Sequence, residues 1–184
     1  MYFAPISTNA AGAVIAGSAI WAFRVPHAAL KNIHLRYIDV SLSGLPAAAL
    51  LTGVELIRLT ATGAPSGGTG VVPVKGWESH PTSILTTSDI KFSSVALGGL
   101  GGGAFNSNSF GNLLANVGGA ATLSATTSTR LRLDFDKVGD GSMVFRPSGL
   151  STIASEGLAI RVIAADFTAG ITVSGSVGWD EDSI

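Results

Sequence analysis

A glycine-rich segment, GAPSGGTGVVPVKGW at residues 63–77, is the first candidate for chemistry, because loops of this composition can wrap a phosphate. A phosphate-binding loop of the G-x-x-x-x-G-K-[ST] type needs a lysine after its second conserved glycine and a helix whose N-terminus completes the anion site. Here GAPSGGTG has no lysine at that position and runs into the extended stretch VVPV. The segment therefore predicts a turn between two strands, with glycines supplying positive φ values.

Three histidines, His27, His34 and His80, are the candidates for metal binding or general-base catalysis. Either role requires the imidazoles to converge with one another or with carboxylates. The sequence contains no H-x-x-x-H or H-E-x-x-H spacing that would bring two of them to one face of a helix. The pattern favours histidines that lie at the surface or are held by hydrogen bonds.

Two acidic stretches are candidates for ion binding. Asp134, Asp136 and Asp140 lie close together in DFDKVGDG, and oxygen ligands at such spacing can hold calcium, but the EF-hand pattern is not met. We predict a solvated strand face that runs into a turn, with a calcium site as the alternative. The C-terminal DEDSI, residues 180–184, predicts a solvated acidic tail, with a contact to a basic partner as its alternative.

Nucleophilic and glycosidic chemistry have little support in the sequence. The chain has no cysteine and no G-x-S-x-G motif, so thiol chemistry and the usual frame of a serine hydrolase are missing. Glu55, Glu78 and Glu156 could approach one another as a pair of carboxylates for glycoside hydrolysis, but their spacing does not favour it. We therefore predict a protein that is not an enzyme, without catalytic, cofactor-binding or metal-ligating residues.

Charge is scarce along the 184-residue chain. Eleven lysines and arginines against twelve acidic residues give a net charge of −1, so no global field attracts nucleic acid or an anionic membrane. Charged residues make up 12% of the chain, about half of the roughly 25% that is typical of globular proteins. Because large uncharged surfaces on soluble proteins usually mark interaction sites, we expect much of the exterior to contact other copies or a larger assembly.

The elements that would position these residues are strands. Apolar residues alternate with polar or small ones, as in TRLRLDFD at 129–136, where one face is apolar and the other charged. About eight short strands separated by Gly, Pro, Ser and Asn predict an all-β protein, an antiparallel β-sandwich of the jelly-roll type, with an up-and-down barrel as second choice. The phase flip at Tyr37–Ile38 predicts either a strand covered on both faces or a β-bulge.

The same analysis divides the chain into an arm and one domain. Residues 1–23 carry no charge, but the stretch from Ala10 to Phe23 has only 14 residues and contains Gly12 and Gly17, which is too short for a membrane span. We therefore assign residues 1–12 to an extended N-terminal arm and 13–184 to a single β-sandwich domain. Gly98–Gly103 and the following AFNSNSFGN have the composition of a long exposed loop.

Three stretches carry a resemblance to a known class of protein: PSGGTGVVPVK at 65–75, SEGLAIRV at 155–162 and VGWDE at 177–181. In order and local pattern the chain resembles the small β-rich structural proteins of tailed-bacteriophage virions, particularly capsid cement or decoration proteins. The resemblance implies a jelly-roll-like fold, assembly in the host cytoplasm as a homo-oligomer, often a trimer, and docking on the virion surface, where the protein cements a shell formed by the major capsid protein. It implies no catalytic residues.

Two other classes stay open at this point. A carbohydrate- or receptor-binding β-sandwich of a tail fibre or spike would use exposed aromatic residues, and Trp77, Phe105 and Phe110 lie in predicted loops. A glycoside hydrolase is the remaining alternative.

Overall fold

The computed structural model describes residues 1–9, 14–44, 50–93, 96–117, 129–135, 143–168 and 170–183. Within these ranges the chain forms strands and no helix, so no helix able to cross a membrane occurs in this part of the chain. The strands are β1 (Tyr2–Asn9), β2 (Ala19–Arg24), β3 (Lys31–Gly44), β4 (Leu50–Ala61), β5 (Thr69–Gly70), β6 (Val74–Lys75), β7 (Ile90–Phe92), β8 (Ala104–Val117), β9 (Thr129–Asp134), β10 (Met143–Phe145), β11 (Ser155–Ile163) and β12 (Ile171–Ser183).

The strands form two antiparallel sheets that pack face to face. The first sheet has the order β10-β3-β12-β1-β6, with β9 also paired to β3, and the second has the order β5-β7-β2-β11-β4-β8. The eight strands of six residues or more give the orders β1-β12-β3-β9 and β2-β11-β4-β8. In this arrangement each connection between successive long strands crosses from one sheet to the other, except the one from β4 to β8. These are the orders of a jelly roll, so the predicted fold is confirmed and the up-and-down barrel is excluded.

The main core lies between the sheets and contains one row of aromatic side chains. Trp21 and Phe23 are in edge-to-face contact at 5.9 Å between ring centroids, and Phe23 meets Phe145 in the same way at 5.2 Å. All three are almost completely buried. Edge-to-face aromatic pairs contribute beyond their buried area, so this row ties β2 of the second sheet to β10 of the first.

A β-bulge in β3 explains the phase flip that the sequence shows. Opposite β12, Gly178 pairs with Tyr37 while the next residue, Trp179, pairs with Leu35, so Arg36 is the extra residue. Because of this one insertion, Leu35 and Ile38 both point into the core although they are three residues apart. The alternative of a β-bulge is confirmed, and the bulge directs Arg36 towards the acidic end of β12.

The predicted N-terminal arm is replaced by a strand. Residues 2–9 form β1, which lies inside the first sheet between β12 and β6. Tyr2, Ala4 and Ile6 point into the core and are at most 3% exposed. Sequence analysis missed this strand because Pro5 and the absence of charge are typical of a flexible segment, whereas the two partners that complete it lie about 70 and 170 residues away in the sequence.

The predicted glycine-rich loop also needs correction. Residues 104–112, AFNSNSFGN, belong to strand β8, which pairs with β4 along most of its length. The preceding loop lies on the outer face of the second sheet, where Leu97 and Leu100 cover a second apolar cluster that includes Ile57 and Leu59. The amide of Leu97 donates a hydrogen bond to the carbonyl of Ala19 at 2.9 Å, so the loop is anchored to the sheet.

Candidate functional site

One side of the sandwich is formed by a segment with little charge that we call the side wall, residues 71–88. It leaves β5 at the edge of the second sheet, adds β6 to the edge of the first sheet and returns to β7, so it bridges the two sheets along one side of the sandwich. Val71 and Leu85 point inward, at 4% and 2% exposure, and anchor the wall to the core. The wall is therefore a fixed part of the fold.

The glycine-rich turn ahead of the side wall has the geometry that its composition predicts. Gly67 and Gly68 have φ values of 71° and 64°, and a Cβ on Gly68 would lie 2.2 Å from the carbonyl oxygen of Phe92. Only glycine fits a backbone that is left-handed and this close to a neighbouring strand. The prediction of a turn between strands is confirmed.

The side wall exposes apolar residues in a stretch with little charge. Val72, Val74 and Trp77 are 66%, 56% and 70% exposed. Lys75 and Glu78 are the only lysine, arginine, aspartate or glutamate residues between positions 62 and 88. A surface with these two properties is typical of an interaction site, because contiguous exposed apolar patches mark such sites and charged residues are depleted at their centres.

A cleft of about 250 Å³ opens in the side wall beside these residues. The buried side chain of Leu85 forms part of its lining, and Lys75 is its one formally charged member. The complete lining is Val72, Pro73, Lys75, Thr82, Ser83, Leu85, Thr86 and Thr87. The lining is dominated by methyl and methylene groups, so the cleft suits an apolar side chain.

Glu181 on β12 holds the side wall in place. Its side chain is 1% exposed and accepts hydrogen bonds from the Ser83 hydroxyl at 2.5 Å and the Ile84 amide at 3.1 Å. The Trp179 indole donates to the same carboxylate at 3.3 Å, and the Lys31 ammonium lies 3.7 Å away. The sequence analysis was wrong to place this residue in a solvated tail.

The other acids of the predicted tail are also paired. Asp180 contacts the Arg36 Nε at 2.6 Å and the N-terminal ammonium of Met1 at 2.8 Å, and Asp182 lies 3.2 Å from the His34 Nε2. Burial raises the pKa of Asp180, but the hydrogen bonds from Met1 and Arg36 outweigh it and leave that pKa below its ordinary value. The acidic end of β12 is a structural junction of the first sheet.

His27 lies away from the other two histidines, and His34 and His80 both border the acidic end of β12. The His27 Nδ1 lies 2.8 Å from the Ser148 hydroxyl and 3.0 Å from the Ser155 hydroxyl, and its Nε2 contacts the carbonyl of Thr62. A carbonyl only accepts, so Nε2 carries the proton and Nδ1 accepts from a serine. Ser155 is completely buried, which keeps a substrate from its hydroxyl. The hydrogen bonds of His27 connect the loops that contain His27, Thr62 and Ser148. This histidine is therefore held by hydrogen bonds, as the sequence analysis predicted.

His80 belongs to another part of the structure, beside the N-terminus. Its Nδ1 lies 3.1 Å from the Met1 nitrogen, and its ring contacts that of Tyr2 at 5.8 Å between centroids. Within the described ranges no group of three or more histidines and acids could hold a metal ion.

The candidate carboxylates for glycoside hydrolysis do not converge. Glu55 pairs with Arg161 at 2.5 Å, and Glu156 accepts a hydrogen bond from the Arg146 amide at 2.8 Å. Arg161 and Glu156 are five residues apart on β11, a separation of about 17 Å at ~3.4 Å per residue. That exceeds the ~5–9.5 Å that either glycosidase mechanism uses. Glu78 lies exposed on the side wall.

The predicted acidic turn is described only in part, since Asp136 and Asp140 lie outside the described residues. Asp134 pairs with Arg132 at 2.9 Å on the outer face of the first sheet. On the same face Arg130 donates to both carboxylate oxygens of Asp39, and this hydrogen bonding holds the pKa of Asp39 below its ordinary value despite burial. These residues form a solvated strand face, as predicted.

A second cleft, of about 260 Å³, lies between β4 and β8. Phe105 was predicted in a loop but lies in β8, where the Arg161 guanidinium stacks over its ring at 4.7 Å. Phe110 also lies in β8, and its side chain is outside the described part of the structure. The cleft is lined by Arg58, Leu59, Thr60, Phe105, Asn106 and Glu156, which combine one aromatic ring with several hydrogen-bonding groups.

Comparison with known proteins adds no functional information, since no protein-family model and no curated protein matches the chain. The strand order alone gives the fold class, an antiparallel β-sandwich with jelly-roll topology. The candidate site is the side wall with its cleft.

The sequence contained one signal for this site that we did not use. Residues 62–88 hold two formal charges in 27 positions, and residues 92–129 hold none, so scarce charge marks the wall only together with its apolar residues Val72, Val74 and Trp77. The cleft itself has no such signal, because its lining comes from two stretches of chain that only the turn at residues 77–80 brings together.

Proposed function

We propose that this protein is a non-catalytic structural protein of a bacteriophage virion, which assembles as a homotrimer and cements neighbouring capsomers on the outside of a shell of major capsid protein. The resemblance of the sequence to capsid cement proteins supports this function. The jelly roll occurs in capsid proteins, but also in lectins and cupins, so the fold alone does not select it.

The observation that carries the proposal is the combination of exposed apolar side chains and scarce charge. Val72, Val74 and Trp77 stand out from the surface within six residues of one another. A protein that staples its neighbours gains stability from buried area and from several simultaneous contacts, and it needs no reactive group. A small sandwich with few charged residues and with apolar residues exposed on one edge suits that role.

Light scattering across a dilution series tests the assembly step. We expect a stable species of three times the 18.5 kDa chain mass, which then co-sediments with empty phage capsid shells and raises their resistance to heat. A monodisperse monomer at every concentration would contradict the proposal, and a trimer that leaves the shells unbound would contradict its capsid part.

Saccharide binding is the second candidate function, and the cleft beside Phe105 favours it. An aromatic ring can pack against the apolar face of a sugar, while Asn106, Thr60 and Glu156 offer donors and acceptors for its hydroxyls. This would fit a carbohydrate-binding module of a tail fibre or spike.

A glycan array separates this candidate from the first. If the cleft binds a saccharide, Phe105→Ala weakens binding about tenfold or more, because an aromatic anchor is removed. Leu30→Ala, which truncates an 81% exposed leucine outside the cleft, serves as the control and should bind normally. An array without any bound glycan would remove the saccharide candidate.

A further inference from the structure

We infer that the side wall is the surface through which copies of this chain associate, with Trp77 of one copy inserted into the cleft of the next. This inference rests on the self-assembly in the proposed function and names the interface that would produce it. It depends on three features of the wall: a protruding aromatic residue, an apolar cleft and two opposite charges.

Trp77 is the protruding residue. It is 70% exposed and is not among the residues that line the cleft of its own chain. Its backbone is held on both sides, since the Gly76 amide donates to the Met1 carbonyl at 2.9 Å and the His80 amide donates to the Trp77 carbonyl at 3.1 Å. A large aromatic side chain on a rigid turn loses little entropy on binding, and tryptophan is enriched among the residues that dominate interfaces.

The cleft is the matching receptor. Its lining is dominated by methyl and methylene groups, with Lys75 as the one charged member, so it suits an apolar side chain better than a polar ligand. Its walls are preformed, because Leu85 is buried in the core and the neighbouring Ser83 and Ile84 are bound by Glu181. A preformed apolar cleft and a rigid aromatic residue can associate without rearrangement.

The two charges of the wall select a second copy as the occupant. Lys75 lines the cleft, whereas Glu78 directly follows Trp77 in the sequence. Neither forms an ion pair with another described residue. When Trp77 of one copy enters the cleft of another, its Glu78 approaches the Lys75 of that copy, and the pair fixes the orientation. A nucleic acid or a charged membrane would require an excess of one sign, which the wall does not have.

In the proposed trimer this contact is heterologous, because three-fold closure requires each copy to insert its Trp77 into the cleft of the next copy around the ring. Repeated around a closed ring, such contacts give cyclic oligomers, including the trimer that we propose. Each copy then uses its Trp77 once and its cleft once. An isologous dimer would need both features to meet across one two-fold axis.

Two variants that each destroy one half of the contact provide the test. Trp77→Ala removes the protruding residue and keeps the cleft, whereas Thr87→Arg fills the cleft and keeps Trp77; both positions are exposed, so neither change disturbs the core. By light scattering we expect each variant alone to be monomeric, with self-association weakened at least tenfold. Mixed in equal amounts, they should form a dimer of one copy of each, because one intact Trp77 then meets one intact cleft.

Controls separate this inference from the proposed function. Leu30→Ala truncates an 81% exposed leucine outside the wall and should keep the wild-type mass. Lys75→Glu should weaken assembly, and Glu78→Lys in the same chain should restore it. If the wild type is oligomeric but Trp77→Ala and Thr87→Arg keep its mass, or their mixture stays monomeric, the interface is overturned while self-assembly stands. A monomeric wild type overturns both.

Discussion

Replacing Glu181 by alanine should lower the free energy of unfolding by about 2–6 kcal/mol, because the Ser83 hydroxyl and the Ile84 amide lose a buried, charged acceptor. The variant leaves the Ser83 hydroxyl, the Ile84 amide and the Lys31 ammonium without their common acceptor. Each buried donor left unpaired costs about 1–3 kcal/mol, and the losses at Ser83 and Ile84 add. Urea unfolding followed by tryptophan fluorescence measures the difference.

Asp182→Ala is the matched control, because it removes a neighbouring carboxylate of the same strand whose side chain is 62% exposed. Exposed ion pairs contribute about 0–1 kcal/mol, so this variant should unfold close to the wild type. Glu181→Ala should also loosen the side wall and lower the fraction of oligomer. Equal stability of the two variants would show that Glu181 behaves as a solvated acid, as its sequence context suggests.

Replacing Gly175 by alanine should lower the free energy of unfolding by roughly 2–6 kcal/mol, because two penalties add. Gly175 has φ of 151° in the middle of β12, a conformation that costs a residue with a side chain about 1–3 kcal/mol. A Cβ there would lie 1.9 Å from the carbonyl oxygen of Asp39 on the paired strand β3. Relieving such a contact requires the two central strands to separate, and overpacking of this kind costs about 1–3 kcal/mol more.

Gly149→Ala separates the two penalties. Gly149 has φ of 76° in an exposed turn, and a Cβ there meets nothing within 4 Å. Only the conformational cost of about 1–2 kcal/mol should then remain. Thermal unfolding of both variants checks the prediction, and equal losses would mean that β3 and β12 accept the extra methyl group without separating.

The class of fold could be predicted from local patterns, because most long strands alternate apolar residues with polar or small ones, although β1 and β8 alternate weakly and β4 is apolar on both faces. In β9, Leu131 and Leu133 alternate with Arg130 and Arg132. In the structure β9 pairs with β3 and lies at the edge of the first sheet. Alternation with period two depends only on the pleat of the strand and on which residues avoid water. The β-bulge in β3 could also be detected in the sequence, because one inserted residue reverses which of the following side chains point into the core.

The two missed strands have a common physical explanation. β1 and β8 have weak alternation and much small or polar sequence, so their local pattern resembles that of flexible chain. Their backbone hydrogen bonds are made to distant strands, β1 to β12 and β8 to β4. Main-chain pairing does not require a particular side chain, and a segment of almost any composition can be recruited when a sheet edge is available.

The sequence alone determined the all-β class, the turn at Gly67 and Gly68, and the scarcity of charge that points to assembly. These properties depend on short-range geometry and on composition, which do not change when the chain folds. Tertiary pairing decided the roles of Glu181 and of the cleft. Glu181 is surrounded by Ser83, Ile84 and Lys31 only because β12 lies beside the side wall. Burial and proximity between residues about 100 positions apart are products of the whole fold, and no local pattern encodes them.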